Sequence, residues 1–143
     1  MINKSGKLIV TSLCLCCLAL PGFAAKTATK KALPDLKITK LKASRITVNG
    51  NTKLIVKYTI KNVGKAPAPA SVTKIVIKPL NLESEQTCTP LGPNEEQSTS
   101  WYCSITKPGT YEVKAGANYN GAFPEMDSMN NQNSISVGFG RSL

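Results

Sequence analysis

Residues Trp101 to Tyr119 read WYCSITKPGTYEVKAGANY and hold the chain's only Trp, a cysteine, a tight-turn signal and its clearest alternating run. Pro108 presets the φ needed at the second position of a β-turn, and Gly109 tolerates the positive φ of the third, so the chain reverses there. Beyond the turn, Tyr111, Val113, Ala115, Ala117 and Tyr119 alternate with Glu112, Lys114, Gly116 and Asn118. That is the period of a strand with one buried and one wet face. Before it, Trp101 and Cys103 share one face while Tyr102 and Ser104 share the other. A Trp beside a cysteine ahead of such a turn, and a Tyr just after it, suit the inside and corner of a two-sheet sandwich.

The amino terminus predicts export. Lys4 and Lys7 precede the apolar run Leu8 to Leu20, and Pro21-Gly22-Phe23-Ala24-Ala25 supplies small residues for cleavage after Ala24. Residues 1–24 therefore read as a secretory signal peptide, and the product as periplasmic or secreted. The run of about 13 residues is shorter than the ~20 of a membrane-spanning helix. Cys14, Cys16 and Cys17 are not preceded by the Gly or Ala that lipid attachment uses, which argues against a lipoprotein. Removing the signal leaves about 118 residues, one domain with a single core, and no second apolar span. Cys88 and Cys103 remain, and two cysteines in an exported chain predict a disulfide. Closing such a loop, about 15 residues, is worth ~3 kcal/mol. A redox-active pair is the competing reading, against which the spacing speaks, being far from Cys-x-x-Cys.

Residues 25–33 are polar and basic and read as a flexible leader; 34–139 form the domain and 140–143 a tail. Leu36 and Ile38 alternate with Lys37 and Thr39, and Leu41 and Ala43 resume the inward phase one residue late, as a β-bulge near Lys40 would allow. Asn49-Gly50 signals a hairpin turn. Leu54, Val56, Tyr58 and Ile60 then face in, with Lys53, Ile55, Lys57, Thr59 and Lys61 facing out. Lys65 to Ala70, rich in proline, reads as a sheet-to-sheet connection. Thr73, Ile75 and Ile77 mark a third strand, Leu80 to Cys88 an acidic edge segment, and Pro90 to Asn94 another turn. Gln97 to Ile105, the Tyr111 run and Ser134 to Phe139 complete about seven short strands with no helical period, an all-β immunoglobulin-like two-sheet sandwich.

Several pieces fall in a recognisable order: Pro34-Asp35-Leu36, Asn62-Val63-Gly64 followed by small residues, Trp101 with Pro108-Gly109-Thr110-Tyr111, and Glu125-Met126-Asp127-Ser128-Met129-Asn130-Asn131. Over Pro34 to Gly138 the sequence resembles the CARDB family, the cell-adhesion-related domain found in bacteria and archaea. The resemblance implies an immunoglobulin-like or fibronectin-type-III-like sandwich, a noncatalytic module of exported prokaryotic proteins. The Cys88 and Cys103 pair is a departure from the usual pattern.

With no His in the chain, imidazole base chemistry and His-ligated metals are excluded. No nucleophile elbow or phosphate-cradling Gly loop appears, so no enzyme and no cofactor is expected. Charge is asymmetric: Lys26 to Lys78 holds 13 basic residues against Asp35 alone, and Pro79 to Leu143 three basic and seven acidic. Outward Lys37, Lys53, Lys57 and Lys61 would lie side by side on consecutive strands, a stripe suited to a polyanion such as lipopolysaccharide, an acidic glycan or, less well, nucleic acid. Their bland role is to solvate the sheet and discourage edge pairing. No aromatic residues interleave with the lysines on that face, Tyr58 being read as facing in, which disfavours base stacking. Glu125 and Asp127 offer oxygens of the sort calcium accepts, set against a structural role in holding the turn. Phe123, Met126 and Met129 form a candidate apolar contact for a protein partner. The function expected is a monomeric, noncatalytic exported module that binds a protein or surface glycan, or alternatively a polyanion through the lysine face.

Overall fold

The structure is a computed structural model that describes residues 31–140; the expected signal peptide, most of the expected leader and the tail beyond Gly140 lie outside the described residues. Seven strands are formed there: β1 (Leu36–Val48), β2 (Asn51–Asn62), β3 (Ser71–Lys78), β4 (Leu82–Cys88), β5 (Glu96–Ser104), β6 (Gly109–Gly116) and β7 (Gln132–Phe139), with a single 3-10 turn at Ser128–Asn130. They make two antiparallel sheets, ordered β1-β2-β5 and β4-β3-β6-β7. The all-β sandwich expected from the alternation is therefore the fold.

Most local signals act where the sequence puts them; the alternating run from Tyr111 is shorter than expected, β6 ending at Gly116 and Tyr119 standing exposed. Asn49 and Gly50 take φ of 50° and 75°, the left-handed pair that lets a two-residue turn follow the strand twist. The β1–β2 register shifts between Ile38 and Lys40, so the bulge returns Leu41 to the core. Lys65 to Ala70 carries the chain from β2 in one sheet to β3 in the other, the segment after Cys88 returns it to β5, and Pro108 and Gly109 lie where it crosses again in the first direction, from β5 to β6. Behind that corner the Tyr111 hydroxyl donates to the Lys107 carbonyl at 2.6 Å, an upstream backbone bond of the kind that pins a sandwich corner. The Tyr111 ring meets Phe139 edge-on at 5.5 Å. Leu36, Ile38, Leu54, Val56, Tyr58 and Ile60 of one sheet oppose Ile75, Ile77, Val113 and Ala115 of the other, all buried.

The motifs at Pro34, Asn62 and Glu125 converge on one end of the sandwich. The Asn62 side chain accepts from the Asp35 and Gly64 amides and donates to the Ala66 and Leu91 carbonyls. Val63 N–H donates to the Asp35 carbonyl and Lys65 N–H to that of Leu33. Glu125 closes the other side: its carboxylate accepts from the Leu36 amide and from the Asn118 and Asn131 side chains. The start of β1, where Leu36 pairs with Asn62 of β2, is thus clamped between two distant segments by a polar seam.

The expected Cys88–Cys103 disulfide is not formed; both are free thiols. The topology explains why. Thr89, through its amide and its hydroxyl, donates to the Gln97 side chain at 2.9 Å each, which places Cys88 beside the start of β5. Cys103 lies six residues further along that extended strand, roughly 20 Å away, whereas a disulfide needs Cα atoms within about 7 Å. Burial pushes both thiols above the usual range. Peptide mapping of the unreduced protein is expected to find Cys88 and Cys103 alkylatable, and Cys88, 1% exposed, to react many-fold faster once the fold is opened in guanidinium. A Cys88–Cys103 linked peptide would contradict this register.

Candidate functional site

The exposed side of the β1-β2-β5 sheet is a ladder of rows set by strand register. In order along the sheet they are Lys37–Lys61–Glu96, Lys40–Thr59–Ser98, Lys42–Lys57–Ser100, Ser44–Ile55–Tyr102 and Ile46–Lys53–Ser104. Six lysines share this face with one carboxylate, that of Glu96 at its edge. Two ion pairs exist among the described residues, Lys74–Glu83 at 2.7 Å and Lys114–Glu112 at 3.3 Å, and both belong to the opposite sheet. The lysines of the ladder are therefore uncompensated within 4 Å. From Lys61 to Lys53 is eight residues of strand, about 26 Å, which is the length of a polymer contact rather than of a pocket for one small ion.

A depression of about 410 Å³ lies at the middle of the ladder, lined by Lys40, Lys42, Lys57, Thr59, Ser98 and Ser100 among others. The Thr59 and Ser98 hydroxyls are bonded to each other at 2.9 Å across its floor. Of the lysines singled out from sequence, Lys37 and Lys61 are cross-strand partners, Lys57 pairs with Lys42, and Lys53 stands at the far end. Lys40 and Lys42, missed by the sequence reading, complete the cluster. Their signal was present: the bulge that keeps Leu41 inward turns both neighbouring lysines out.

The other candidates are tied up in structure. Glu125 is committed to the three donors described above, and Asp127 accepts from the Met129 amide at 2.9 Å as cap of the 3-10 turn. No group of three or more acidic or cysteine side chains that could hold a metal gathers among the described residues. Phe123 packs on the core, so the proposed apolar loop contact reduces to Met126 and Met129, the latter 92% exposed. Among the described residues no helix is long and apolar enough to cross a membrane.

Comparison with known proteins bears on the fold. A family model described as CARDB matches residues 33–135. The crystal structure of a CARDB domain from Pyrococcus furiosus, in complex with di-metal ions, superposes with a TM-score of 0.62 at 23% identity, covering 74% of this chain and 88% of that one. A domain of a putative cell surface protein from Methanosarcina acetivorans gives 0.61 at 18% identity, covering 77% and 95%. A β-glucosidase from Erythrobacter marinus gives 0.52 at 15% identity, with 73% of this chain on only 15% of that enzyme, a match of one domain's fold. No curated protein matches the chain.

Proposed function

The chain belongs to the CARDB family, and from that premise we propose that it is a noncatalytic binding module, exported by residues 1–24, that holds an anionic polymer of the cell surface on the lysine face of its β1-β2-β5 sheet. The observation that supports this reading is the row-by-row stacking of Lys37, Lys40, Lys42, Lys53, Lys57 and Lys61 on one face with no ion pair among them. Structural lysines that merely solvate a sheet are ordinarily interspersed with carboxylates; here Glu96, at the edge of the face, is the one carboxylate set among six lysines. An uncompensated stripe raises the local concentration of a polyanion and lets several weak contacts add.

The test is retention of the full chain on an immobilised acidic polysaccharide across a salt gradient. Binding is expected to fall steeply between low and physiological salt, because exposed charges are screened over about 8–10 Å. The double substitution Lys42→Glu and Lys57→Glu reverses the central row and is expected to weaken binding at least 100-fold at low salt, with folding unchanged because both side chains end in solvent. Salt-independent retention that survives this substitution would refute the lysine face, and absence of retention at low salt would leave the second reading, a protein contact through the exposed Met126 and Met129 loop. The di-metal binding named for the Pyrococcus domain forms no part of this reading, since Glu125 and Asp127 are already engaged.

A further inference from the structure

On the premise that the lysine face binds an anionic polymer, we propose that this polymer is an acidic polysaccharide, with Tyr102 as the platform for a sugar ring. Tyr102 sits on the exposed side of β5, directly across from Ile55. The sequence places it 45 residues from Lys57, yet the register puts it diagonally next to Lys57 on one side and Lys53 on the other, within reach of long side chains. Tyr102 is 51% exposed, while Ile55 beside it in the same row is only 6% exposed. The row is thus a small apolar and aromatic step set between two basic rows.

Hydroxyls complete the pattern. Ser98, Ser100 and Ser104 alternate along the outward side of β5 with Tyr102 between them, at a repeat of about 6.6 Å. A polyphosphate chain or the phosphates of a lipid surface would use the lysines alone and leave the aromatic step and the hydroxyls without a role. Single-stranded nucleic acid could stack one base on Tyr102, but such binders offer successive aromatic platforms, and this face has one. A polymer of uronic acid units uses every feature: carboxylates meet Lys42, Lys57 and Lys53, the apolar side of a ring lies on Tyr102, and ring hydroxyls meet the serines. Tyrosine suits this work because it offers a rigid apolar face with a polar tip at low entropy cost.

Titrations of the full chain with polygalacturonate, polyphosphate and oligo-dT at matched charge concentration and low salt decide the matter. Tyr102→Ala is expected to weaken polygalacturonate binding about tenfold, a change equivalent to ~1.4 kcal/mol, and to leave polyphosphate binding within twofold of the parent. Tyr102→Phe is expected to retain polygalacturonate binding, because the ring is kept. If Tyr102→Ala leaves polygalacturonate binding unaltered, or if oligo-dT binds more tightly than polygalacturonate, the sugar platform is wrong while the lysine reading stands. If the Lys42→Glu, Lys57→Glu variant binds both polyanions like the parent, the lysine face itself is wrong. Tyr102 is surface-exposed, and an unchanged melting curve for its variants separates these outcomes from loss of fold.

Discussion

Asn62→Leu is expected to cost about 4 kcal/mol of folding stability, seen as a fall of roughly 2 M in the urea midpoint. Asn62 is fully buried and its amide group satisfies four backbone groups, accepting from Asp35 and Gly64 at 3.1 and 3.0 Å and donating to Ala66 and Leu91 at 2.8 and 3.0 Å. Leucine is close in size, so the loss is not a cavity. It is the desolvation of two amides and the Ala66 carbonyl left without partners, each worth about 1–3 kcal/mol where water cannot reach, while the Leu91 carbonyl keeps the Ala68 N–H at 2.8 Å. Asn62→Asp separates the two halves of the effect: the carboxylate still accepts but can no longer donate, and it faces the Ala66 and Leu91 carbonyls. About 3 kcal/mol is expected for it. A loss below ~1 kcal/mol for both variants would mean that the seam is solvated and that Asn62 is not its hub.

Gly64→Ala is the second large effect, about 3 kcal/mol or more. A Cβ at Gly64 would stand 2.5 Å from the Asp35 nitrogen and 2.6 Å from both the Leu33 oxygen and the Pro34 carbonyl carbon. All three are backbone atoms and cannot swing aside. They are held in place by the Val63 bond to Asp35 at 2.7 Å and the Lys65 bond to Leu33 at 3.1 Å. The glycine is required by the close approach of two chain segments, not by an unusual φ. Gly116→Ala serves as the control, since there a Cβ meets only the Gln132 side chain at an ordinary 3.5 Å; a change within about 0.5 kcal/mol is expected. Equal thermal shifts for the two variants would refute the close packing at Gly64. Because Asn62 and Gly64 serve one seam, the double variant should lose less than the sum of the singles.

These two residues give physical content to motifs that in the sequence are only a resemblance. Pro34-Asp35-Leu36, Asn62-Val63-Gly64 and the string beginning at Glu125 are far apart in the chain and interlock at one end of the fold. Nothing in their residue types alone reveals that Glu125 would spend its carboxylate on the Leu36 amide and two asparagines. An acidic, amide-rich loop looks the same whether its oxygens face a cation or the protein's own donors.

Tyr111 behind the corner, the turn at Asn49-Gly50, the bulge before Leu41 and the inward set Leu54, Val56, Tyr58 and Ile60 were legible from the chain itself, because side-chain alternation and turn chemistry are properties of a few consecutive residues. Strand neighbours were not. That Lys57 lies between Lys42 and Ser100, that Tyr102 stands among lysines, and that Cys88 at the end of β4 lies beside the start of β5 while Cys103 lies near its far end all follow from how the strands are arranged and in what register. That choice is made by burying all the inward faces at once, a collective condition that no local stretch of sequence contains.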